Sequence, residues 1–285
     1  MTKTKLAIYC LTIIVAISIV LNAFQYSQNN TLANQNAELT AKQEMTALLT
    51  EVQSEVNTKL KKLDLELQAV CQRLSNMDLK SIQARSVLID LFSNNTIIVN
   101  AAINVNDVLV AVEPNQYRFS EGQYVGKQEQ CVQMHQTMRP AMSNVIPLVE
   151  GIEGVVIIGP VFDANKRFTG AVSIVIEPSD LVNETIKSIT NSSDYTFMAI
   201  QPNGRVLYDI DRLQIGAMTL TDPAFQNFPQ LLAICQKMAA EKSGYGTYEF
   251  NTSLASTNIV KKELFWETIG IYDTEWRLAI IHRTN

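Results

Sequence analysis

Between Met1 and Phe119 the chain contains no glycine and a single proline, Pro114. These are the two residues that most often interrupt regular backbone, so the first two fifths of the chain can hold long, unbroken elements. Within it Leu49, Val52, Val56, Leu60, Leu63, Leu67, Val70, Leu74 and Met77 recur at steps of three and four, the period of one helix face. The spacing predicts a continuous helix over about 30–90, within a segment 28–90 that acts either as a coiled-coil stalk or as a spine burying its stripe against the chain's own domains.

Ahead of that helix, Leu6 to Phe24 is an almost uninterrupted apolar run of about 19 residues, enough to cross a bilayer as a helix. Lys3 and Lys5 precede it and no Lys or Arg follows until Lys42. The asymmetry predicts a single-pass anchor over 1–27 in the cell membrane, with a cytoplasmic N-terminus and extracytoplasmic domains. A cleaved signal peptide is the competing reading, and Leu21-Asn22-Ala23 makes a poor cleavage site for it.

Length and charge narrow the rest. A chain of 285 residues accommodates about two domains. Its net charge of −5 and one short basic run, Lys59-Leu-Lys-Lys62, exclude nucleic acid as a partner, because phosphate binding needs a dense Lys/Arg face. Cys71, Cys131 and Cys235 are too scattered for a disulfide framework or a zinc site; one bridge or buried free thiols remain open.

The C-terminal two thirds repeats itself. Gly159 to Ile176 reads as two strands around the turn Asp163-Ala-Asn-Lys166, with Pro160 marking an edge or a break and Gly170 a bulge or close backbone approach. Trp266 to Ile281 echoes it, Tyr272-Asp273 standing where Phe162-Asp163 stood. Val110-Ala-Val-Glu-Pro-Asn115 is echoed by Met198-Ala-Ile-Gln-Pro-Asn203. The offsets of roughly 90 to 110 residues are one small domain each. Further hairpins are expected around Asn104-Val-Asn-Asp107 and Pro202-Asn-Gly204, and a helix between Asp222 and Glu241. The fold class is α+β: a transmembrane helix and a long helix, then two antiparallel-sheet modules in tandem, 91–188 and 189–285.

An anchor, a long helix and two such modules, with Gly159-Pro-Val-Phe-Asp163, Phe168-Thr-Gly-Ala-Val-Ser173 and Asn203-Gly-Arg-Val-Leu-Tyr-Asp209 as local motifs, resemble the double Cache sensor family. The resemblance covers about residues 30 to 283. It implies PAS-like sheets, an extracytoplasmic sensor, and a small ligand bound in the membrane-distal module, 91–188. Met138-Arg139-Pro140 resembles the Arg-Pro of amino-acid-binding members, but Ala141 stands where their Trp would be and Val175 where they carry an Asp. The resemblance therefore implies a ligand other than an α-amino acid. The sequence stops at Asn285 without the second span and output domain of such receptors, so a module that signals through a partner is expected.

Arg118 and Arg139 flank a segment rich in groups suited to an anion: guanidinium forks for a carboxylate, with hydroxyls and aromatic faces to orient it. The candidate ligand-binding set is Tyr117, Arg118, Tyr124, Met134, His135, Arg139, Ser143 and Asp163, with an ion pair from Arg139 to Asp163, Glu150 or Glu153 as the structural alternative. Two distant histidines, His135 and His282, assemble no catalytic arrangement. Gly244-Tyr-Gly-Thr-Tyr248 lacks the lysine of a phosphate loop, and Asp209 and Asp211 lack further ligands at calcium-loop spacing. No catalysis, metal or cofactor is expected. The partners expected are a small molecule, the membrane, and either a second copy or a signalling protein along the long helix. The alternative function is an envelope assembly protein whose modules bind no ligand and whose helix mediates oligomerisation.

Overall fold

The computed structural model describes residues 3–284, with side chains from Ile17 onward. The chain divides into two compact units, Met1–Ala47 and Leu48–Asn285. The described residues of the first belong to helix α1 (Lys3–Leu74). Among the described residues no helix is long and apolar enough to cross a membrane. Most of the expected anchor, Leu6 through Ala16, falls outside the residues whose side chains are described; its remainder exposes Ile17, Ile19, Val20, Leu21 and Phe24.

In the second unit α1 carries the apolar stripe expected of it, and Leu49, Val52, Val56, Leu60, Leu63, Leu67, Val70 and Leu74 are all buried. This part of the helix is a spine. The expected continuous helix to about residue 90 is instead two helices, α1 ending at Leu74 and α2 (Ile82–Ser93) beginning anew. The break needs neither glycine nor proline. Asp78 Oδ1 accepts from Lys80 N at 3.0 Å, and Ser81 Oγ accepts from Ala84 N at 3.1 Å as the α2 cap; short polar side chains that bond nearby backbone compete with helix continuation. Met77 accordingly leaves the stripe and is exposed.

The first sheet follows: β1 (Ile98–Val105), β2 (Val108–Glu113), then after helix α3 (Glu129–Thr137) the strands β3 (Ala141–Met142), β4 (Ile146–Pro147), β5 (Glu153–Phe162) and β6 (Phe168–Ile176). All pairings are antiparallel, in the order β2-β1-β6-β5-β3 with β4 beside β5. Helix α4 (Pro178–Ile189) leads to the second sheet of β7 (Tyr195–Ile200), β8 (Val206–Asp209), β9 (Gly244–Asn251), β10 (Ile259–Ile271) and β11 (Thr274–Thr284), with α5 (Pro229–Ala240) between β8 and β9. Its order, β8-β7-β11-β10-β9, repeats the wiring of the first: an opening hairpin, an edge strand reached through a helical segment, and a closing hairpin. The repeat seen in the sequence is thus a repeat of topology.

Turn chemistry sets the registers. Asn106 and Asp107 both have positive φ, 52° and 60°, the geometry of a two-residue turn whose twist suits a hairpin. Gly170 is required by a close approach, since a Cβ there would meet the Asn104 carbonyl oxygen at 2.4 Å. Gly159 lets β5 lie on α1, where a Cβ would stand 2.9 Å from Cys71 Sγ. Cys71, Cys131 and Cys235 are buried free thiols, which settles the open alternative against a bridge among them.

Hydrogen bonds tie the modules to each other and to the spine. Thr274 Oγ1 donates to the Met142 carbonyl, and Val145 N donates to Gln201 Oε1 at 2.9 Å. Gln53 Nε2 donates to the Thr268 carbonyl at 2.9 Å, Asn57 Oδ1 accepts from Gly270 N at 3.0 Å, and Tyr272 donates to Asp64. The β10–β11 hairpin is therefore held by α1 along one side and by the first module at its turn.

Candidate functional site

Strand alternation gives the first sheet two faces with different neighbours. On β5, Gly159 turns toward α1 and meets Cys71 and Leu67. Ile158 turns the other way, into a cluster with Ala102, Leu109, Val112, Val125, Cys131, Met134, Ala141 and Ala171, against which Tyr117, Val149 and Phe168 pack. This second face, covered by the segment 117–150, lies in the module where a small ligand is expected.

The eight predicted residues do not converge there. Met134 is fully buried in the apolar cluster and Tyr117 packs on its edge. Ser143 is spent on backbone, its Oγ accepting from Val156 N at 3.0 Å and donating to the Asn144 carbonyl at 2.6 Å. His135 Nε2 lies 2.7 Å from Asp107 Oδ1 and its ring packs edge-on to Phe168. Arg118 is held by Glu113 Oε1, at 3.1 Å from Nε and 2.5 Å from Nη2, in a network that Arg85 extends to Glu113 and Glu121. Tyr124 is exposed.

Arg139 and Asp163 are brought together elsewhere. They line an open groove beside α1 with Gln68, Cys71, Gln72 and Phe162, and its volume is about 400 Å³. Asp163 caps its own turn there: the backbone N–H of Arg167, followed by that of Asn165 and the Arg167 guanidinium, holds its carboxyl below the usual range. None of the alternative ion pairs from Arg139 to Asp163, Glu150 or Glu153 forms among the described residues. Arg118 neutralises a buried Glu113, and the left-handed residue Met138 (φ 52°) turns the chain so that Arg139 faces the groove beside α1.

The covered face is polar for a different reason. Asn100, Ala102 and Asn104 of β1 pair with Val175, Ser173 and Ala171 of β6, so all six share the face that meets the 117–150 segment. Asn100 and Asn104 are each 1% exposed and Gln130 of α3 is 2% exposed. Asn100 Nδ2, Asn104 Oδ1 and Gln130 Oε1 have no hydrogen-bond partner. A buried amide atom without a partner costs on the order of 1–3 kcal/mol, and the two on one face of β1, Asn100 Nδ2 and Asn104 Oδ1, mark a surface suited to a polar guest.

The same architecture recurs in known proteins. Residues 58–178 match the family model of the HK/GC/chemotaxis protein-like sensor domain. That stretch is similar to a sensor domain of this type. No curated protein matches it in sequence. An extracellular ligand-binding receptor from Desulfohalobium retbaense is 29% identical, with a TM-score of 0.71 over 84% of this chain and 40% of that one; the chain thus spans about two fifths of that receptor's length. The ligand-binding domain of the Pseudomonas aeruginosa amino acid chemoreceptor PctB, solved with L-Gln, has 12% identity and a TM-score of 0.59 over 84% of this chain and 89% of that one. The periplasmic sensory domain of the Campylobacter jejuni chemoreceptor Tlp1 has 9% identity and a TM-score of 0.57 over 87% and 95%. These last two share the fold.

Within residues 58–178, Val175 is buried opposite Asn100 and packs with Leu148 and Val156, and Ala141 lies in the apolar cluster. The face therefore offers neither a carboxylate nor an indole at these positions. Asn100 and Asn104 escaped the sequence reading because Asn104 was assigned to the hairpin turn, which the structure places at Asn106–Asp107. The available signal was two amides four residues apart in an otherwise apolar strand.

Proposed function

We propose that this chain is the extracytoplasmic, ligand-binding part of a membrane-anchored sensor, and that its ligand lies in the first module between the face bearing Asn100, Ser173 and Asn104 and the segment 117–150. Residues 1–27 form the anchor, with Lys3 and Lys5 on the cytoplasmic side; 91–188 is the membrane-distal module and 189–285 the proximal one. The observation that carries the reading is the set of buried amide atoms without a partner, Asn100 Nδ2, Asn104 Oδ1 and Gln130 Oε1. It favours a small ligand that both donates and accepts hydrogen bonds, recognised by amides and a serine hydroxyl. Guanidinium recognition of an anion has less support, since Arg118 is paired and Arg139 faces the groove beside α1. Binding draws the covering segment onto the sheet and so biases the position of α1, which acts on a second copy or a signalling partner. No step requires catalysis.

The test is thermal unfolding of the full chain in detergent against a panel of small organic acids, amides, amines and nucleobases. A ligand at a hundred times its Kd adds about 2.7 kcal/mol, a rise of about 5–10 °C for a unit of this size. The rise should vanish in Asn100→Val. A flat response across the panel would favour the envelope-assembly reading, with oligomerisation through the helix.

A further inference from the structure

The second module contains a cavity of about 450 Å³ between its sheet and the chain from Asp209 to Cys235. Its apolar wall is Met198, Phe225, Leu231 and Phe250. Two opposite charges enter it from β8 and β10, strands that β7 and β11 separate in the sheet. Asp209, at the end of β8, is 8% exposed, and its Oδ1 accepts from Asp211 N at 2.7 Å. Lys262, on β10, is half-buried; its Nζ donates to the Asn251 carbonyl at 3.0 Å and sits 5.2 Å from the Phe250 ring centroid and 5.9 Å from that of Tyr248. No ion pair joins Asp209 to Lys262 among the described residues, although each lies in the other's field.

Two charges that face one cavity without touching are each desolvated without being neutralised, the costly half of a buried ion pair. Water can reach them, but a molecule that carries the complementary charges at its two ends satisfies both at once. A ligand with a single charge leaves one wall group uncompensated. We propose that this cavity is a second binding site, for a small zwitterion whose ammonium group lies against Asp209, whose carboxylate lies against Lys262 and whose carbon chain rests on Phe225 and Phe250. The site is separate from the first-module face and does not rest on it.

The protonation behaviour is consistent. Burial pushes the Asp209 carboxyl up to about 7, opposed by the Asp211 backbone N–H and the field of Lys262, and burial lowers Lys262. Asp211 raises Asp209 further. Tyr248 lies beside it, its hydroxyl pushed up by burial and by Asp209, while Asp194, His282 and Arg283 complete the lining. His282 is engaged with Glu263 at 3.2 Å. An arriving ammonium group favours the ionised Asp209 and so expels its proton.

The experiment is titration calorimetry on the full chain in detergent at pH 8, with glycine, β-alanine, 4-aminobutyrate and 6-aminohexanoate as probes and butylamine and butyrate as single-charge controls. One zwitterion, the one whose length fits, should bind at least about ten-fold more tightly than either control. Asp209→Asn and Lys262→Met should each weaken it by at least about ten-fold, while Asn100→Val leaves it unchanged. The wild-type protein supplies a check that needs no variant: affinity should rise about ten-fold from pH 6 to pH 8, with a proton released near neutrality in buffers of differing ionisation enthalpy. Failure of every zwitterion to bind, equal binding of a control, loss of binding in Asn100→Val or a pH-independent affinity would each overturn the assignment.

Discussion

Asn100→Val isolates the feature on which the first-module reading depends. The side chain is 1% exposed, its Nδ2 meets no acceptor, and it stands on β1 opposite Val175. In the protein without ligand the amide is a liability. Replacing it by valine removes a buried donor that costs about 1–3 kcal/mol and puts a β-branched residue into a strand, which strand geometry prefers. Valine is no longer than asparagine, so it does not overpack the layer. For a unit of this size each kcal/mol moves the midpoint by about 2–4 °C, so Tm should rise by about 2–12 °C. The measurement is thermal unfolding by circular dichroism with Asn100→Ala alongside, which removes the same amide but leaves a small cavity and should gain less. A fall in Tm for Asn100→Val would mean that the amide is well satisfied in the folded protein, and the argument that this face awaits a polar guest would be lost.

Two further outcomes follow from geometry. Gly170→Ala places a Cβ 2.4 Å from the Asn104 carbonyl oxygen, a backbone atom that cannot rotate aside, and should cost roughly 1–3 kcal/mol in a denaturant melt; a neutral result would show that β1 and β6 slide apart easily. Asp209 has its carboxyl raised by burial from an ordinary 3.8 to about 7, so the folded protein keeps a proton that the unfolded chain sheds. Its contribution is complete below the ordinary value and is lost as pH rises through about 7, at up to ~1.4 kcal/mol per pH unit. Denaturation midpoints across pH 4–8 should therefore fall with pH in the wild type and fall less in Asp209→Asn; parallel curves would refute the burial argument.

Much of the fold was legible because it is written in periods. The helical stripe from Leu49 to Leu74 is buried throughout the second unit, and the echo of Gly159–Ile176 in Trp266–Ile281 is a matched pair of closing hairpins in sheets of the same order. The helix break after Leu74 was not legible, because it depends on side-chain bonds by Asp78 and Ser81 that compete with the helix only once the chain must turn onto the sheet. The site was less legible still. Arg118 and Arg139 advertise anion chemistry by residue type, but a neighbouring Glu113 claims one and the left-handed turn at Met138 places the other in the groove beside α1. Asn100 and Asn104 look unremarkable in sequence, and Asp209 offers there only an incomplete cation site; their chemistry comes from burial, which is a property of the tertiary fold.

The hydrogen bonds between modules give the proposed closure a route to the spine. The segment that covers the first-module face ends in β3 and β4, where the Met142 carbonyl accepts from Thr274 and Val145 N donates to Gln201. Thr274 stands at the turn of the β10–β11 hairpin, whose neighbours Gly270 and Tyr272 bond Asn57 and Asp64 of α1. A displacement of β3 toward a ligand therefore acts on a hairpin clamped to α1 about two helical turns along its length, and the stiffness of a fully paired antiparallel hairpin resists absorbing it locally. On the opposite side of the same sheet, Gly159 packs against Cys71 so closely that a Cβ has no room, so a push on β5 from the ligand face also reaches α1 without slack. Lys262 belongs to β10 as well, and occupancy of the second cavity would bear on the same hairpin from its other end. Two ligands would then converge on one element, and each should change the affinity for the other by an equal factor.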